Sequence, residues 1–161
     1  MEDDSATMVH EPMITRPMTS YNDVMGYLHR IHITPEVKKS VAQRLMVEVT
    51  GENLSKAFAR LEHLSQLQPD WDGCGAPKIS YKVIDNLRNV LLISDDKDWK
   101  YWMISPASNG TLTIQSKRHI ASISVGDSEF SFYSSSDGKE DCGDHREFSP
   151  SAFLNLMRRL V

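Results

Sequence analysis

Cysteine is scarce in this chain of 161 residues: Cys74 and Cys142 are the only two, too few for a disulfide framework at this size, and this usage fits a reducing compartment. Long apolar runs are missing as well. No stretch approaches the roughly 18 to 20 residues that span a bilayer, and the start at Glu2, Asp3 and Asp4 is acidic where a secretory signal would be basic. Together these absences predict a cytoplasmic protein with no membrane partner. The short motifs of several chemistries are also lacking. There is no G-x-S-x-G elbow, no G-x-x-x-x-G-K-[ST] or G-x-G-x-x-G phosphate loop, and no H-E-x-x-H. Phosphoryl transfer, dinucleotide chemistry and zinc proteolysis thereby lose their usual signatures, and no cofactor is expected. Basic charge is outnumbered, with 18 Lys and Arg against 22 Asp and Glu. A net charge of −4 argues against general affinity for nucleic acid, because phosphate contacts need clustered cations.

What is present is an ordinary globular composition, 40% hydrophobic and 25% charged, enough for a packed core. Residues 1–17 hold acids, Pro12, Pro17 and three methionines without apolar periodicity, and are read as a flexible leader, with Met18 as an alternative start. Periodicity begins at Ser20. Ser20 with Asp23 fits a capping box, and Tyr21, Val24, Met25 and Leu28 recur at helical spacing, predicting a helix that ends near Arg30. Thr34, Pro35 and Glu36 read as the next start, for a helix with Val37, Val41, Leu45 and Val49 on one stripe and Gly51 closing it. A third helix is predicted over 53–66 through Leu54, Ala57, Phe58, Leu61 and Leu64. Residues 18–67 are thus a helical segment whose apolar faces suit self-association. The remainder, 68–161, reads as an α+β domain.

In that domain Ser80 caps a fourth helix carrying Val83, Ile84, Leu87, Val90 and Leu91, and the polar cluster Asp95, Asp96, Lys97 and Asp98 reads as a turn. The period then changes. Four runs, 101–105, 111–116, 119–125 and 129–134, are rich in β-branched and aromatic residues and separated by turn signals such as Asn109-Gly110 and Gly126-Asp127. Alternation puts Leu112 with Ile114, Ile123 with Val125, and Phe130 with Phe132 on single faces, so one side of an antiparallel sheet should be buried beneath helices. Residues 135–147 read as a polar, mobile loop. A last helix follows, with Ser149 as cap, Pro150 in first position, Phe148 stapling onto Phe153, and Leu156 and Leu160 extending the stripe. The predicted class is α+β: N-terminal helices, an antiparallel meander of about four strands packed against helices, and a C-terminal helix.

Each candidate for chemistry has a plainer structural explanation. Trp71, Asp72, Gly73, Cys74, Gly75, Ala76 and Pro77 form the most distinctive loop. An exposed carboxylate beside a tryptophan can bind or react. Equally, Trp71 can anchor the loop in the core while Asp72 caps local N–H groups and the glycines take positive φ. Cys142 and His145 are one metal-ligand pair where zinc sites show two, so no metal is expected. Arg30, Lys38, Lys39 and Arg44 are the candidate nucleic-acid contacts, if a helix pair presents them to DNA. Arg158 and Arg159 complement the dipole of the last helix and need no ligand. Over residues 127–147 seven acids face two basic residues, which reads as a solvated loop or an acidic surface for a basic partner.

The loop carries a resemblance. Trp71, Asp72, Gly73, Gly75 and Ala76 match the Trp-Asp-Gly-x-Gly-Ala motif of a loose group of small bacterial proteins of unknown function. In that group a helix, a Pro-x-x-x-Gly step, here Pro106 to Gly110, and a short antiparallel sheet follow the motif. The variable position is often aromatic there and is Cys74 here, which weakens a catalytic or metal role for the thiol. The group resembles accessory proteins of mobile elements, and membership implies no activity. Residues 21–49 are similar to the helical N-terminal segment of small antitoxin-like proteins. The expectation is therefore a non-enzymatic interaction protein, antitoxin-like or a mobile-element accessory, with a protein partner such as a toxin and a homodimer formed through the N-terminal helices. A small hydrolase using Asp72 with His145 or His119, and a DNA-binding repressor, are the alternatives.

Overall fold

Helix α1, Tyr21–Arg30, starts where its cap dictates: Ser20 Oγ accepts the Asp23 N–H at 3.2 Å, and the Asp23 carboxylate reaches back to the Thr19 N–H at 3.1 Å. The computed structural model describes residues 18–161, so the leader expected over 1–17 lies outside the described residues. The chain forms two compact units, Met1–Val49 and Thr50–Val161. In the first, α1 buries Val24 and Leu28. Helix α2, Pro35–Thr50, begins as expected, with the Thr34 carbonyl accepting the Lys38 N–H at 2.9 Å and proline in first position. Its stripe is less regular than the sequence suggested. Met46 is the buried residue, whereas Val37 is 50% exposed. Residues spaced by four drift about 40° per step around a helix with 3.6 residues per turn, so Val37 has rotated well away from Val49.

The second unit contains helices α3, Glu52–Ser65, and α4, Tyr81–Ile93, a short 3-10 helix at Asp96–Trp99, five strands and a closing helix α5, Pro150–Arg159. The division between Val49 and Thr50 puts α3 in the same unit as the sheet. Both α3 and α4 bury the apolar residues that their periodicity selected. Strands β1, Trp102–Pro106, β2, Leu112–Ser116, β3, Ile120–Val125, β4, Glu129–Ser136, and β5, Lys139–Glu147, pair antiparallel in chain order as a meander. Ile104, Leu112, Ile114, Ile123, Val125, Phe130 and Phe132 are all buried on one face, as alternation requires. Helices cover that face. Arg60 of α3 donates to the Ile104 carbonyl, Asn86 of α4 donates to the carbonyls of Gly126 and Asp127, and Phe153 of α5 meets Phe130 edge-on at 5.5 Å. The Phe148 to Phe153 staple forms at 5.7 Å, under a Ser149 cap.

The class is α+β, but among the described residues the sheet has five strands, not four. Residues 139–147, expected as part of a mobile loop, form β5. The reason is visible in the pattern: apart from half-buried Gly143 every residue of β5 is exposed, so it shows no apolar alternation. Its signal lies in the turn. Asp137 and Gly138 both have positive φ, 52° and 75°, the conformation of a tight two-residue hairpin for which Asp-Gly is a preferred sequence. Gly143 is needed where it stands. A Cβ there would come within 2.5 Å of the Phe132 ring on the paired strand. The ladder is irregular between Phe130 and Phe132, and His145 beside it has φ 50°, as in a β-bulge.

The polar cluster after α4 is also more ordered than a turn. Asp95 N–H donates to Asp98 Oδ2 at 2.9 Å, closing the 3-10 turn, and Asp98 is among the buried residues.

Candidate functional site

The motif loop follows from its own residue types. Asp72 Oδ1 accepts the backbone N–H of Cys74 at 2.8 Å and of Ala76 at 3.0 Å, while Asp70 Oδ1 accepts that of Gly75 at 2.7 Å. Gly73 and Gly75 take φ of 70° and 86°. These are the local backbone bonds that aspartate and glycine make in tight turns. The N–H of Cys74, then that of Ala76, holds the Asp72 carboxyl below its ordinary range. Trp71 differs from expectation: it is half-buried, and its indole N–H closes the loop by donating to the Pro77 carbonyl at 3.2 Å. Only Ala76 of the motif is buried. Asp72 Oδ1 is thus bound by its own loop.

His145 is held elsewhere. Its Nδ1 lies 2.7 Å from Glu129 Oε1, and that hydrogen bond, followed by the Glu129 charge, raises the pKa of the imidazole. His119 sits in the turn between β2 and β3, where its N–H donates to Ser116 Oγ. Cys74 and Cys142 are exposed free thiols. Among the described residues no group of three His, Cys, Asp or Glu side chains is placed to hold a metal ion, and no helix is long and apolar enough to cross a membrane.

Of the candidate nucleic-acid contacts, Arg30 ends α1 and Lys38, Lys39 and Arg44 lie on α2. At about 100° per residue these three positions point to three different sides of α2 and share no single face. Arg158 and Arg159 have partners, contrary to expectation. Arg158 grips Asp98 with two hydrogen bonds of 2.8 Å, and Arg159 reaches Asp141 on β5 at 3.0 Å. Both carboxylates are far away in the chain, which is why a local reading assigned the arginines to the helix dipole alone.

The open edge of the sheet, β5, is the most unusual surface. In a two-residue hairpin the pair flanking the turn is hydrogen-bonded, so Ser136 and Lys139 form such a pair, and the bonded character alternates from there. Glu140 and Cys142 therefore direct their backbone N–H and C=O groups outward from the sheet. Four acids, Glu140, Asp141, Asp144 and Glu147, stand along this strand. Tyr133 on β4 donates to Glu140 at 2.9 Å, and that bond, foremost, raises the phenol pKa. The opposite edge is blunted. Tyr101 with Lys117 and Ala107 with Thr111 close bonded pairs on either side of β1, which leaves Trp102, Ile104 and Pro106 directed outward; Arg60 already occupies the Ile104 carbonyl and Pro106 has no N–H.

A second feature had no signal in the sequence. The indole N–H groups of Trp99 and Trp102 are both buried without an acceptor, in residues 2% and 3% exposed. An unmet buried donor costs about 1 to 3 kcal/mol, so two of them call for a reason. Tryptophans beside strand signals read as core residues, and only the fold shows that their polar edges are left over. No protein-family model, curated protein or solved structure matches this chain.

Proposed function

We propose that this protein is a non-enzymatic interaction protein, of the antitoxin-like or mobile-element accessory kind that its motif resembles, and that its α+β unit binds an extended basic segment of a protein partner along β5. The observation that carries this reading is β5 itself: a nine-residue edge strand, paired on one side, exposed on both faces and acidic. Edge strands present unpaired backbone groups that accept an added strand, and natural proteins commonly blunt them, as β1 is blunted here. The acids supply charge complementarity for Lys and Arg, and repulsion between copies of β5 disfavours pairing of the strand with itself.

The test is fluorescence anisotropy with a labelled peptide of alternating lysine and valine, against a glutamate and valine peptide of equal length. The lysine peptide should bind in a salt-sensitive way and the glutamate peptide should not. Cys142→Pro removes an outward N–H while leaving the β4 ladder intact, and should abolish binding; Asp144→Lys should weaken it. Equal binding of both peptides, or full binding by Cys142→Pro, would refute docking at this edge.

A further inference from the structure

We infer that a cavity between α3 and β1 is a binding site for a phosphate-type oxyanion. The cavity measures about 140 Å³, and its lining includes Trp99 and Trp102 together with Lys56, Arg60 and Lys117. Among the described residues no acidic side chain lines it, although the chain as a whole carries a net charge of −4. Lys56 is paired with Glu52 at the exposed rim, Arg60 spends only its Nε–H on the Ile104 carbonyl, and Lys117 makes no ion pair among the described residues. Positive charge and free N–H donors are therefore concentrated in a space that fits one small anion. The indole N–H groups of Trp99 and Trp102 are themselves closed off from the cavity, but both residues line it and so can report on what enters it. A tetrahedral oxyanion offers acceptors in several directions at once, matching the cations that come from α3 and from the turn after β2.

The site is independent of the reading of β5, since β1 and β5 are opposite edges of the sheet. The experiment is titration of the full chain with inorganic phosphate, followed by tryptophan fluorescence and by calorimetry, with sodium chloride at matched ionic strength as control. A saturable response with a dissociation constant on the order of 1 mM or below is expected. Trp71→Phe should retain the spectral change, which assigns it to Trp99 and Trp102. Lys117→Gln, at the surface and checked for native circular dichroism, should weaken binding about tenfold, as loss of a charge-assisted bond does. O-phosphoserine in place of phosphate distinguishes the sources: tighter binding identifies a phosphoryl group on a larger molecule, weaker binding the free ion, and both support the site. Silence in both measurements, the same response to chloride, or unchanged affinity in Lys117→Gln would overturn it.

Discussion

The side chain of Asp96 occupies the space that a Cβ on Gly51 would fill. From there it caps α3 across a long gap in sequence, accepting the Leu54 N–H at 2.9 Å and the Asn53 side-chain amide at 2.8 Å. Gly51 has φ 89° and ψ 166°, a region essentially reserved for glycine, so the chain turn and the borrowed cap require the same residue. Burial raises the Asp96 pKa, but the bonds from Leu54 and Asn53 outweigh it and leave the carboxyl below its ordinary value.

Gly51→Ala should therefore destabilise the protein by about 2 to 4 kcal/mol, combining backbone strain with a displaced cap. Asp96→Ala should cost about 1 to 2 kcal/mol. Because both changes remove the same cap, the double variant should lose less than the sum. Urea unfolding of the four proteins in the cycle measures this, and strict additivity would separate the two roles.

Arg158→Ala should destabilise the protein, because it leaves the Asp98 carboxylate, 4% exposed in its side chain, without its counter-charge. The hydrogen bonds from Arg158, foremost, hold the Asp98 pKa below the ordinary 3.8. A depressed acid contributes stability that is present above the unfolded value and is lost as pH falls through the folded one. The wild type should thus lose more stability than Arg158→Ala between about pH 5 and pH 2, and a parallel acid profile of the two proteins would count against this pair.

The motif carboxylate permits a sharp comparison. Asp72→Asn keeps an oxygen able to accept the Cys74 and Ala76 N–H groups and should be close to neutral, while Asp72→Ala should destabilise and loosen the loop. Amide hydrogen exchange at Cys74 and Ala76 reads this directly. Protection lost equally in both variants would show that the charge, and not the acceptor, holds the loop.

His145 should titrate above 6.5 in the folded protein, chiefly through its hydrogen bond to Glu129. With the folded pKa raised, the contribution of the pair is complete below the unfolded value and fades as pH rises through the folded one. His145 is exposed, so the effect belongs to the local clasp of β5 on β4. Imidazole proton shifts followed by NMR should show the elevated titration, and Glu129→Gln should bring it down.

Much of this molecule was open to local reading. The helices starting after Ser20, Thr34, Ser80 and Ser149, and the strand pairs Leu112 with Ile114 and Ile123 with Val125, were determined by the sequence alone, because caps and apolar periods act between near neighbours. The Asp72 turn belongs with them, being built from bonds at most four residues long. Strand β5 escaped notice because a doubly exposed edge needs no apolar face, although Asp137-Gly138 marked its turn. Only the tertiary structure decided that Asp96 caps α3, that Arg158 grips Asp98 over a separation of 60 residues, and that Trp99 and Trp102 share a cationic cavity. Such partners are chosen by packing: burial of the apolar faces brings distant segments together, and the polar groups then bond to whatever that packing has placed within reach.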